Sequence, residues 1–156
     1  MKRDLFLKTI ALVMIITMLF TFAACAAKVN DEKTIAGILC KDFKSLASKD
    51  DPMAIMEALS ENEVISFSPV VTEAFEGYLP GFDKDITGFS KGAALMPMIG
   101  SIPFAAYCFE TEDAKALTSL LSDSVKLDWN ICTIADEYKI ETSGNLVFIV
   151  LAPYEM

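Results

Sequence analysis

Hydrophobic positions fall into three patterns along the chain. Thr9 to Ala24 carries no charge and is filled with Ile, Leu, Val, Met and Phe without an amphipathic period. From Asp31 the pattern changes. Ile35, Leu39, Phe43 and Leu46 recur at helical spacing with Ile38 beside them, while Lys41, Asp42 and Lys44 fall elsewhere. This predicts an amphipathic helix over Asp31 to Ser48. In the next segment, Asp51 suits an N-cap and Pro52 the first helical position. Ile55, Met56 and Leu59 then supply the apolar face of a second, short helix.

Between Val64 and Gly92 the regularity fades. Pro69, Gly77, Pro80, Gly81, Gly88 and Gly92 punctuate this region, and Phe67, Phe75, Tyr78, Phe82 and Phe89 recur between them. The spacing predicts a helical piece over Val70 to Tyr78 and, for the rest, a loop pinned by its aromatics. Beyond it the third pattern appears. Ala93 to Ile99 reads as a strand, and Ile102 to Phe109 is apolar on both alternating faces, as a central strand is. Glu110 to Asp113 places acidic residues at the positive end of a helix that carries Leu117, Leu120, Leu121 and Val125 and ends near Lys126. Tyr138 to Thr142 alternates as a half-exposed strand, Ser143-Gly144-Asn145 makes a turn, and Leu146 to Leu151 returns as a second two-faced strand. The expected fold is α+β: N-terminal helices and a small, mainly antiparallel sheet packed on one long helix.

The first pattern is an address. Lys2, Arg3 and Lys8 give a positive start, the apolar run follows, and small Ala23 and Ala24 precede Cys25. These are the three parts of a secretory signal, and the run is shorter than the roughly 20 residues that span a bilayer. Phe22-Ala23-Ala24-Cys25 resembles the bacterial lipobox. The resemblance implies removal of residues 1–24, acylation of Cys25, residues 25–30 as a tether and a single domain over 31–156. Small side chains suit a scissile bond, and only cysteine offers a sulphur for thioether formation. Two acyl chains anchor stably where one is marginal. The expected location is the outer face of the bacterial cytoplasmic membrane, held by lipid on Cys25.

Charge and composition then narrow the chemistry. The whole chain has a formal net charge of −9 and no histidine. Without residues 1–24, ten lysines face 21 acidic residues, and the only arginine, Arg3, is gone. Such a surface does not suit nucleic acid, whose recognition relies on positive charge. The missing histidine removes Ser–His and Cys–His catalysis and imidazole metal ligation. Cys40, Cys108 and Cys132 form no C-x-x-C pair and sit among apolar neighbours. Buried free thiols are expected, with Cys108–Cys132 the alternative bridge.

Several short motifs invite chemistry. Gly88-Phe89-Ser90-Lys91-Gly92 matches the G-x-S-x-G nucleophile elbow, but it lacks a histidine base and a buried strand before it, so a glycine-rich turn is expected. Asp83, Asp85 and Thr87 begin like a calcium loop, yet Ala94 stands where the bidentate Glu belongs. Met96 and Met98 with Cys108 are soft donors that read more simply as core. Trp129 is expected to close the core at the helix exit. The order of Met98-Ile99-Gly100-Ser101, the acidic-capped helix, Trp129-x-x-Cys132 with Ala135-Asp136, and the closing apolar strand is similar to a group of small bacterial lipoproteins. That resemblance covers roughly the last 60 residues. It implies an exported lipoprotein of Gram-positive type and assigns no functional residues.

The sequence therefore calls for no cofactor and names no catalytic or metal-ligating residue. It predicts a non-enzymatic binding module that meets an envelope protein or small ligand through Tyr78, Phe82, Asp83, Asp85 and Phe89. The alternative is a small glycan-type hydrolase working through Glu76, Asp83 and Asp85.

Overall fold

This computed structural model describes residues 33–65, 69–97, 104–129 and 135–154. The expected export segment and tether, with Cys25, and Phe67, Met98 and Cys132 lie outside them.

Helix α1 spans Ile35–Leu46, and the Thr34 hydroxyl accepts a hydrogen bond from the Gly37 N–H at 3.0 Å as its cap. It stops short of the predicted Ser48. A 3-10 turn, Ala47–Lys49, takes over and ends at Asp50 in the left-handed region (φ 52). Helix α2 spans Pro52–Ser60 with Asp51 as N-cap and Pro52 opening it, as the sequence predicts.

Five strands follow: β1 (Val70–Glu73), β2 (Lys91–Met96), β3 (Ala105–Glu110), β4 (Glu137–Ser143) and β5 (Leu146–Ala152). They form one sheet in the order β1-β2-β3-β5-β4, with every neighbouring pair antiparallel. Between β3 and β4 lies helix α3, Ala114–Ser124, whose Asp113 carboxylate accepts from the Ala116 N–H at 2.9 Å. The α+β class read from the sequence is the observed one.

Two expectations need correction. Val70 to Tyr78 does not form a helix. Val70-Val71-Thr72-Glu73 is a β-branched run that pairs with β2, Glu73 opposite Ala93. Nor does the sheet rest on one long helix. Every residue of β5 is fully buried, and its side chains alternate between two cores. Leu146, Phe148, Val150 and Ala152 face α1 and α2, where Phe148 stacks on Phe43 at 4.9 Å between ring centroids. Val147, Ile149 and Leu151 face α3, through Leu117 and Leu121. A strand apolar on both sides needs cover on both sides, so the sheet sits between helical layers.

Cys40 and Cys108 both lie in the α1–α2 core as free thiols, so Cys108 carries no bridge. Burial pushes each thiol up from 9.0 to about 12. The folded chain thus keeps protons that the unfolded chain releases, and stability fully present below about pH 9 is lost as pH rises towards 12. The slope reaches at most about 1.4 kcal/mol per pH unit for each thiol. Urea unfolding at pH 8 and pH 10.5 tests this. Wild type should lose more stability over that interval than a Cys40→Ala/Cys108→Ala variant, and equal losses would rule the thiols out as its source.

Candidate functional site

The long connection from β1 to β2, residues 74–90, covers the part of the second sheet face that α3 leaves open. Leu79, Phe82 and Ile86 point into that core, the last fully buried. The loop is braced at four places. Gly77 and Ile86 exchange backbone hydrogen bonds at 3.0 and 2.8 Å. The Asp83 N–H donates to Ser124 O at 2.9 Å and the Lys126 N–H to Gly81 O at 2.7 Å, which ties the loop to the end of α3. From β3, the Tyr107 hydroxyl donates to Pro80 O at 2.7 Å. Burial raises the Tyr107 pKa, so the phenol remains a neutral donor. Finally, Glu76 Oε1 accepts from the Gly88 and Phe89 N–H groups at 2.5 and 3.4 Å.

Gly81 is required where it stands. Its φ is +97, and a Cβ there would lie 2.9 Å from a Leu151 methyl. Gly92, at the loop's exit, is equally confined: a Cβ would sit 2.8 Å from both Ala74 O and the Phe89 ring. Its missing side chain lets Phe89 pack against Phe109, at 4.6 Å between centroids.

The structure thus divides the residues that the sequence grouped. Phe82 is 3% exposed and tilts against Tyr107. Phe89 is half-buried on Phe109. Asp83 is exposed and pairs with Lys126 at 3.3 Å, while Asp85 is exposed. Of the aromatics in that group, Tyr78 alone is open, at 71%. Its companion is Phe75, at 70%, which the predicted group omitted. The signal was there in the alternation: Ala74 turns inward after β1, so its neighbour Phe75 turns outward.

The short motifs resolve into structure. Ser90 enters β2 rather than a strand-to-helix elbow, and its N–H and hydroxyl both donate to Glu110 O, at 2.8 and 3.2 Å. Lys91 Nζ lies 2.9 Å from Glu110 Oε2, and that hydrogen bond raises the lysine pKa. Among the described residues, no group of three or more His, Cys, Asp or Glu side chains is placed to hold a metal ion. Met96 and Trp129 pack, partly buried, against the second core. Of the three carboxylates proposed for hydrolysis, Glu76 and Asp83 are engaged in the contacts above, and neither they nor Asp85 line either of two surface clefts.

One cleft, about 230 Å³, lies between the start of α2 and the β1–β2 edge, with Asp51, Met53, Glu73, Phe75 and Lys91 in its lining. The other, about 390 Å³, is bordered by Ser90, Glu110, Thr111 and Asn145. Much of its polar lining is already paired. Glu110 binds Lys91 and Asn145, and Thr111 donates to Gly88 O at 2.6 Å. The first cleft is the candidate site, because exposed Phe75 borders it beside Glu73, a carboxylate with no hydrogen bond or ion pair among the described residues. Among the described residues no helix is long and apolar enough to cross a membrane. No protein-family model, curated protein or solved structure matches this chain.

Proposed function

We propose that this chain is a lipoprotein, anchored through acylated Cys25 to the outer face of the bacterial cytoplasmic membrane. There it serves as a non-enzymatic binding module for an envelope protein or small ligand. The anchoring half of the reading rests on sequence: a positive start, a charge-free apolar run and Ala23-Ala24-Cys25. Cys25 stands nine residues before the Thr34 cap, which allows at most about 30 Å of extended chain between lipid and domain. The net negative charge sets the module apart from nucleic acid and anionic lipid surfaces.

The binding half is carried by one observation. Phe75 and Tyr78 are about 70% exposed on a loop whose neighbouring residues are held by hydrogen bonds and core contacts. An aromatic covered by a partner contributes roughly 2 kcal/mol from apolar burial. Because the backbone beneath is already fixed, little ordering cost opposes that gain. The loop presents these rings ready for contact.

Each half has its own test. In a bacterium that processes lipoproteins, Cys25→Ala should abolish incorporation of labelled fatty acid and leave the precursor uncleaved. Unchanged labelling would reject the anchor. For binding, a photo-crosslinking residue at position 78 should give a discrete adduct on intact cells, and the same residue at exposed position 41 on α1 should not. Equal yields at both positions, or none at 78, would reject the aromatic pair as a contact surface.

A further inference from the structure

Among the described residues the sheet has two edges, β1 and β4, and they offer different surfaces. β1 is four residues long, and pairing with its own copy would set Glu73 against apolar Val70. β4, Glu137–Ser143, has seven residues; it pairs with β5 on one side and with no described strand on the other. The hairpin fixes which backbone groups face outward. In a two-residue hairpin the pair flanking the turn, here Ser143 and Leu146, is hydrogen-bonded, and so is every second pair after it. Ser143, Glu141, Lys139 and Glu137 therefore bond to β5, which leaves the N–H and C=O groups of Thr142, Ile140 and Tyr138 facing outward. The side chains of these three are not packed away: Tyr138 is 37% exposed, Thr142 is exposed and Ile140 is half-buried.

Outward backbone groups of this kind accept another strand, and the charges on β4 select which one. On the α1 side β4 carries Glu137, Lys139 and Glu141, opposite Ala152, Val150 and Phe148. Lys44 reaches Glu141 at 2.9 Å, and Lys139 lies 3.6 Å from Glu137. These two cations and two anions make a neutral strip on a chain of net charge −9, so two acidic copies can meet there without like-charge opposition. A two-fold antiparallel pairing centred on Lys139 or on Glu141 leaves one end of β4 unmatched and sets that residue against its own copy, like charge on like. Centring on Ile140 instead aligns the whole strand and bonds the outward groups of Tyr138, Ile140 and Thr142. It also places Lys139 of each copy opposite Glu141 of the other, in the non-hydrogen-bonded positions where side chains come closest. We infer that β4 pairs with β4 of a second copy in this register, joining two sheets into one. An edge lysine deters such pairing when it meets no counter-charge; here Glu141 of the second copy meets it. Helix α1 packs about equally on β4 and β5. At a strand spacing of about 4.8 Å the two copies of α1 would stand roughly 10 Å apart, the ordinary distance between packed helices. The pairing depends on neither the anchor nor the exposed aromatics of the 74–90 loop.

Disulfide trapping reads the register directly. In the full-length chain, held in detergent micelles and mildly oxidised, Ile140→Cys should give a dimer linked 140 to 140, identified by peptide mass, because directly opposed residues lie within disulfide reach. Tyr138→Cys, which falls opposite Thr142 rather than its own copy, should give about a tenth of that yield or less. Lys139→Glu and Glu141→Lys, each added to Ile140→Cys, should cut the yield roughly tenfold by setting like charges opposite one another. Mixing these two variants should restore it, since each supplies the charge that the other lacks, and restoration also shows that both are folded. Absence of the 140-to-140 link in Ile140→Cys, equal linkage at 138 and 140, or a mixture no better than either variant alone would overturn the pairing. An edge covered by another segment of the chain or by a foreign partner would give the first of these results.

Discussion

Burial of β5 on both faces governs the rest of the molecule. Seven consecutive residues, Leu146-Val147-Phe148-Ile149-Val150-Leu151-Ala152, have no solvent exposure, and β3 beside them is nearly as apolar. Two cores follow from this, one on each side of the sheet. On the first side α1 and α2 suffice, because each offers a full apolar stripe. On the second side, among the described residues, the one helix is α3, with 11 residues, and it cannot cover a five-stranded sheet. The β1–β2 connection supplies the missing cover with Leu79, Phe82 and Ile86.

That structural duty also shapes the surface. A loop that lies on the sheet must satisfy its backbone polar groups without water on its inner side. It does so through the Gly77–Ile86 pair, the bonds to Ser124 and Lys126, the Tyr107 hydroxyl and the Glu76 carboxylate. The same bonds fix where its remaining side chains point. Phe75 and Tyr78 stand outward because their neighbours are held inward, and Phe75 ends beside the cleft that Glu73 and Asp51 border. Exposed aromatics and core cover are two faces of one segment.

The sequence showed most clearly those elements whose signals are local. Asp51-Pro52 announced the start of α2, the acidic stretch Glu110 to Asp113 that of α3, and the continuous apolar run of β5 its central place. Residues 70–78 were misjudged because a four-residue edge strand has too few positions to display its period, and because its partner, β2, lies some twenty residues away. The double-sided arrangement was implicit in the two-faced strands, yet which segment covers the second face depends on tertiary contact. For the same reason Phe82 and Phe89 read like Tyr78: all three are aromatics in a glycine-rich loop. Only the register of Gly92 against Phe109, and the reach of Tyr107 to Pro80, separate packed rings from open ones.

The central claim is that one loop is core at Phe82 and surface at Phe75, and equilibrium urea unfolding addresses it most directly. Phe82→Ala removes a ring that is 3% exposed and should cost about 3–5 kcal/mol. Phe75→Ala removes a ring that is 70% exposed and should change stability by no more than about 0.5 kcal/mol. Comparable losses in the two variants, or a loss confined to Phe75→Ala, would show that the loop does not cover the sheet in this way.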